Sequence, residues 1–270
     1  MGAKESIIIT DTHCHLDFHA FDADRVEVLD RARHSGIARI LNPGVDLISS
    51  QSAVDLAGAQ SEVFAAVGVH PNDASIWDIN SRSRLVTLAG HPKVVAIGEI
   101  GLDYYRDRAP RELQKEIFRQ QLEIAREMEL PVVIHNRQAG NDLMEMLGAW
   151  YAELVENKSP LQERPGVLHS FSGGEELAWQ AVSLHFYIGI TGPVTFRNAP
   201  DLQRVVASLP LESLLVETDA PFLAPHPYRG QRNEPVNVRL VADKIASITN
   251  QPLSMVAEVT TANAGRLFKW

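Results

Sequence analysis

Cysteine is almost absent. Cys14 is the only one in 270 residues, so no disulfide can form within the chain. A lone thiol fits a reducing compartment, and a cytoplasmic location is the expectation. No apolar run is long enough to span a bilayer. The opening MGAKESIII carries neither the apolar stretch nor the cleavage site of a secretory signal. No membrane partner is therefore expected. Positive charge is in deficit too: 25 Lys and Arg stand against 34 Asp and Glu, a net charge of −9. Proteins that coat nucleic acid by bulk electrostatics are usually basic, which argues against a broad DNA-coating surface. A small site where bound cations supply the positive charge stays open. Repeats, low-complexity tracts and long linkers are also missing, so residues 1–270 read as one domain.

What is present is an alternation of apolar strands and amphipathic helices. Strands are expected at 6–10, 38–44, 63–69, 94–100, 131–135, 166–171, 186–191 and 214–218. Helical spacing is clearest over 112–129, and a last helix is expected over SMVAEVTTANAGRLF. Eight βα units in this length predict an α/β fold, a (β/α)₈ TIM barrel with an extra C-terminal helix. An open doubly wound sheet is the other arrangement of such units.

The stretch DTHCHLDF follows the first strand. Side chains alternate along a strand, which puts Asp11, His13 and His15 on one face and Thr12 and Cys14 on the other. Two histidines so placed can grip a metal or be ordinary surface residues. The other strand ends favour the metal. Glu99 ends strand 4, His135 strand 5, His169 strand 6, and Asp219 follows strand 8. Active sites of such barrels lie at these ends. Carboxylates gathered in a barrel mouth need cations, since burying an unpaired one is costly. Nitrogen and oxygen donors without a thiolate suit zinc or manganese and tolerate magnesium. Cys14, turned toward the helices, is expected only to pack.

DTHCHLD, GVHP, GEIGLDYYRD, VVIHNR, GVLHSFSGG and VETDAPFLAPHPYRGQRNEPVNV resemble, in order, the motifs of the TatD family of metal-dependent deoxyribonucleases. That family falls within the amidohydrolase-like barrels, whose barrel is distorted. The resemblance implies two divalent ions (Mg, Mn or Zn). His13, His15, Glu99 and Asp219 would hold one; Glu99, His135 and His169 would hold the other, with Glu99 bridging. Glu99 stands where phosphotriesterase-like and dihydroorotase-like relatives use a carboxylated lysine. Two departures touch no ligand: Asn136 where many relatives have serine, and a long segment at 148–165.

The implied chemistry is a metal-activated water attacking a phosphodiester. Asp219 would orient that water and take its proton, with Glu99 as the second catalytic carboxylate. Glu217 and Asp103 would support the ligands from behind. The implied activity is 3′→5′ removal of nucleotides from DNA, with the 3′ end of a single strand as partner. D-aminoacyl-tRNA deacylation, or another ester hydrolysis at the same site, is the alternative. A metal-stabilised binding scaffold is a third reading. A monomer is compatible with the sequence.

Substrate contacts are expected from His70, Tyr104, Arg106, Arg137 and Arg229, near strand ends. Arg108, Arg111, Arg197 and Arg232 lie close by and would complete a basic mouth on an acidic barrel, since guanidinium forks suit phosphate. The opposing possibility is that these arginines pair with neighbours, Arg106 with Asp107 or Arg232 with Glu234. Gly173 and Gly174 are either an anion cradle or a simple turn. Tyr104, Tyr105, Phe196, Phe222 and Tyr228 are loop aromatics on which a base can stack.

Overall fold

The computed structural model describes residues 7–106 and 108–270. Residues 1–6, among them the first residue of the expected strand 1, lie outside the described residues, as does Asp107. Eight parallel strands follow one another in ring order: β1 Ile9–Asp11, β2 Ile37–Pro43, β3 Val63–Val67, β4 Val94–Asp103, β5 Val132–Arg137, β6 Gly166–Leu168, β7 Tyr187–Ile190 and β8 Leu214–Val216. Between and after them run α1 Arg25–His34, α2 Leu47–Ala59, α3 Ser81–Ala89, α4 Arg111–Met128, α5 Gly140–Glu156, α6 Glu175–Ser183, α7 Pro200–Ser208, α8 Val238–Thr249 and α9 Leu253–Phe268. This is the (β/α)₈ barrel read from the sequence, and the open sheet is excluded. The segment 148–165 lies in the second half of α5 and a 3₁₀ turn at Pro160–Glu163. None of the described helices is long and apolar enough to cross a membrane.

Strand alternation separates two apolar layers. Val133, Val167 and Leu215 face the lumen, where they join Leu41 and Ala66. Two residues further along the same faces come His135, His169 and Glu217. The base of the lumen is therefore apolar and its mouth polar. The end of α9 closes the base, where Leu267 and Phe268 pack into this cluster. Residues on the opposite strand faces, such as Ile40, Ile134 and Leu168, pack with the helices.

The barrel is distorted. On β4 the pairing with β5 steps from Ile97–Val132 to Ile100–Ile134, so β4 carries one extra residue. A bulge of this kind re-aims the side chain beside it. Ala96 faces the lumen and so does Glu99, three residues on, where plain alternation would turn one of them away. Gly101 follows at φ +139°, and a Cβ there would collide with the His135 carbonyl. Two buried glutamines of α4 hold the strand ends from outside. Gln114 accepts from the Asp103 N–H at 2.8 Å and donates to the Asp103 carbonyl at 3.0 Å. Gln121 does the same for Val69 at 2.7 and 3.0 Å.

Among the described residues, β1 and β8 share no regular ladder; Cys14 and Ala220 form an isolated bridge. The buried Asp11 carboxyl group ties this seam. It accepts from the N–H of Thr218 at 2.9 Å, from the Thr218 hydroxyl, and from the N–H of His13 at 3.3 Å. Asp11 is thus a clamp between two ligand-bearing segments, and the expected shared face with His13 and His15 is not its role. Burial pushes its carboxyl up to about 8 against these hydrogen bonds. Asp11→Ala strands buried donors, a loss of about 3 kcal/mol. Chemical denaturation of the metal-free protein should read that loss, with Asp11→Asn retaining more of the stability than Asp11→Ala.

Candidate metal centre

The six side chains expected at strand ends meet at the C-terminal mouth of the ring. His13 Nε2 lies 3.2 Å from His15 Nε2. Glu99 Oε2 lies 3.5 Å from His13 Nε2 and 3.7 Å from His15 Nε2. Its other oxygen, Oε1, lies 3.0 Å from His135 Nδ1. Asp219 Oδ1 is 3.5 Å from His15 Nε2, 3.8 Å from His13 Nε2 and 3.7 Å from His169 Nε2. Donor atoms fall into three groups within 4.8 Å: His13, His15 and Asp219; His13, Glu99 and His169; His70, Glu99 and His135. Glu99 spans the last two. His169 thus groups with His13 rather than with His135.

The outer nitrogen of three imidazoles is fixed. His15 Nδ1 sits 3.2 Å from the Pro43 carbonyl and must donate to it. His169 Nδ1 donates to Glu217 at 2.9 Å. His135 Nε2 donates to Asp103 at 3.2 Å. Each bond anchors one ring nitrogen outside the cluster and turns the other into it, where it can bind a cation once it has lost its proton. His13 Nδ1 is buried without a partner among the described residues. His70 is different. Its Nδ1 accepts from the Asn72 N–H at 3.1 Å, so its Nε2 carries the hydrogen, 3.7 Å from Glu99 Oε1. Burial pushes it down to about 3, which keeps it neutral. It is a hydrogen-bond donor beside the cluster and offers no lone pair to it.

The electrostatics call for cations. Burial alone would raise Glu99, but hydrogen bonds with His13 and His135 hold it well below the usual range. Burial would likewise raise Asp219; His15, His169 and His13 hold it down. Burial would depress His169, yet the Glu217 carboxylate pushes it up to about 9. His15 rises through Asp219, and His135 through Asp103 and Glu99, again against burial. His13 is lowered by burial and by His169. Ionised carboxylates are balanced here by protons on imidazoles. A divalent ion satisfies the same demand, so the donor set fits metal.

The supporting residues fall behind the cluster. Asp103 accepts from Asn72 Nδ2 at 3.1 Å and from the N–H groups of Tyr105 and Arg106 at 3.0 and 2.9 Å. Glu217 also accepts from the Ser170 N–H at 3.0 Å. Its carboxylate fills the space a side chain on Gly189 would take. Asp219 sits at φ +55° and Ser170 at φ +43°, a conformation aspartate tolerates better than most residues.

The basic mouth is only partly as expected. Arg106, Arg108, Arg197 and Arg229 are exposed and Arg137 is half-buried; none has an ion pair among the described residues. Arg137 lies over the Tyr105 ring at 4.0 Å and Arg229 over Phe196 at 4.6 Å. Arg232 is spent elsewhere: it pairs with Asp24 at 2.7 Å and Glu234 at 2.9 Å, away from the cluster. Tyr104 gives its hydroxyl to Asp142 at 2.7 Å and its ring face to Arg111, which commits both to the helix layer. Gly174 opens α6 with Glu175 and Glu176 in the first turn, which disfavours an anion there and leaves the simple turn. Phe18 went unnoticed in the sequence, where no spacing marks it; its ring stacks on His15.

A parallel barrel with a histidine–carboxylate cluster at its C-terminal mouth is the framework of a metal-dependent hydrolase. Residues 10–269 match the TatD related DNase family, and the chain belongs to it. It is 40% identical over 262 residues to the Bacillus subtilis (strain 168) "Uncharacterized metal-dependent hydrolase YabD", covering 97% of this chain and 99% of that one. It is 37% identical over 255 residues to the Cronobacter sakazakii "3'-5' ssDNA/RNA exonuclease TatD", covering 92% and 93%. The crystal structure of YJJV, a TatD homologue from Escherichia coli K12, superposes with a TM-score of 0.89 at 32% identity, covering 97% of this chain and 98% of that one.

With His169 near 9, the metal-free protein carries that proton at neutral pH, and a cation must displace it. Metal affinity should climb from pH 6 to about 9 and level off above. Calorimetric titration with zinc or manganese in buffers of differing ionisation enthalpy should detect the released proton at pH 7.5. Uptake without proton release would contradict this protonation state.

Proposed function

We propose that this hydrolase cleaves phosphodiester bonds of single-stranded DNA and removes nucleotides from the 3′ end. The observation that carries the reading is the meeting of four imidazoles with Glu99 and Asp219, three of the imidazoles anchored from behind so that the other ring nitrogen turns inward. His13, His15, Glu99 and Asp219 would hold one divalent ion and Glu99 with His135 a second, which His169 joins only by moving away from its grouping with His13. When bound, such ions supply Lewis acidity and lower the pKa of water. The chain's own groups do the rest. Asp219 is ionised and its side chain is the more open of the two carboxylates, 15% exposed against 5% for Glu99. It accepts the proton of the attacking water. The His70 Nε2–H donates to a phosphate oxygen. Arg137, free of any acid among the described residues, draws the substrate's negative charge. Asp103 and Glu217 hold His135 and His169 in place.

The arginines at the mouth support a polyanionic substrate on a chain of net charge −9. Relatives named as 3′-5′ single-strand exonucleases, alignable over nearly the whole chain, support the polarity. Purified protein should shorten 5′-labelled single-stranded DNA from its 3′ end in magnesium or manganese. EDTA should abolish the activity, and Glu99→Ala should lower it by at least ~10³-fold. Intact DNA in every metal, with turnover of an aminoacyl ester instead, would overturn the nuclease reading and keep the hydrolase.

A further inference from the structure

The loop after β8 holds an exposed aromatic ring beside the cluster. Phe222 is 51% exposed, although it follows Asp219 by only three residues. Its ring approaches Phe18 at 6.0 Å and His15 at 6.4 Å, edge-on to both. Phe18 in turn lies nearly parallel to His15 at 4.6 Å. Behind Phe222 the loop is pinned. The Phe222 N–H donates to the Asp219 carbonyl at 2.8 Å. Buried Asn233 donates to the Phe222 carbonyl at 2.8 Å and to the Thr218 carbonyl at 2.9 Å, and its own N–H donates to the Pro221 carbonyl at 3.0 Å. A fully buried asparagine therefore fixes the backbone of a phenylalanine that points into water. Several large apolar side chains of this chain are exposed; Phe222 differs in being held by a pinned loop within 6.4 Å of a cluster histidine. It gives a ready surface to a flat ligand.

We infer that Phe222, backed by Phe18, is a platform on which the nucleobase next to the cleaved phosphate stacks. The inference rests on the nuclease reading and deepens it. The occupant follows from position. The ring stands beside His15 and Asp219, so a group on it is covalently close to any phosphate at the cluster. On a single strand that group is a base, and every base has a face to stack. Tyr105, 56% exposed with Arg137 on its ring, stands on the β4–β5 side. In an eight-stranded ring that is across the mouth from β8 and β1. The platform therefore holds the base on one side of the cut only.

The test compares two single-stranded oligonucleotides, one complete and one with abasic residues at its last two positions. The wild-type kcat/KM should favour the complete strand by about tenfold, the size of one stacked base. Phe222→Ala should bring that ratio close to one, and Phe222→Trp should restore it. A ratio unchanged in Phe222→Ala would overturn the platform, whatever happens to absolute rates. Binding separates this from failure of the nuclease reading. A strand ending in 2-aminopurine, with phosphorothioate linkages at its 3′ end, should lose fluorescence on the wild type and keep it on Phe222→Ala. Quenching that depends on Phe222, with no cleavage of any strand, would keep the platform and sink the nuclease. Equal quenching, or none, by both proteins would overturn the platform.

Discussion

The structure is organised around one electrostatic demand: two ionised carboxylates, Glu99 and Asp219, share a largely buried barrel mouth. Charge of that kind is not stable there without compensation. Four imidazoles surround the pair; the proton on His169 and the raised proton affinity of His15 and His135 supply part of it, and a cation supplies the rest. Glu99 is the hinge of the arrangement. One oxygen faces His13 and His15, the other His135 and His70. A carboxylate divided in this way suits two cations better than one.

Much of the fold serves to aim those groups. The apolar base of the lumen, closed by Leu267 and Phe268, keeps water and polar groups to the other end. The extra residue on β4 turns Glu99 inward. Gln114 and Gln121 fix the ends of β4 and β3 through their backbones, and so fix Asp103 and the approach to His70. Asp11 does the same where the ladder is missing, joining the segment of His13 to that of Asp219. The ring orientations of His15, His135 and His169 are fixed by a carbonyl and two carboxylates one layer out. Preorganisation of this kind spares the site any rearrangement when charge develops.

Period-two alternation made most of this legible in the sequence. Eight apolar runs and a helix expected at 112–129 became eight strands and α4 at Arg111–Met128. His135, His169 and Glu217 follow from lumen-facing Val133, Val167 and Leu215 by simple spacing. Glu99 was placed correctly at a strand end, but its inward aim depends on a bulge that no local signal announces. Asp11 fits the alternation and still does something else, because its partner Thr218 is 207 residues away. Arg232 and Tyr104 read as mouth residues by position alone. Their partners Asp24 and Asp142 come from distant helical layers that spacing does not bring together. The neutral Nε2–H form of His70 is set by the Asn72 N–H, a matter of loop geometry.

The central claim is that Glu99 bridges two ions, and anomalous scattering from crystals grown in manganese tests it most directly. Two peaks are predicted, one within ligand distance of each Glu99 oxygen, with both peaks gone in Glu99→Gln crystals. A single ion, or a pair of which one does not touch Glu99, would contradict the account.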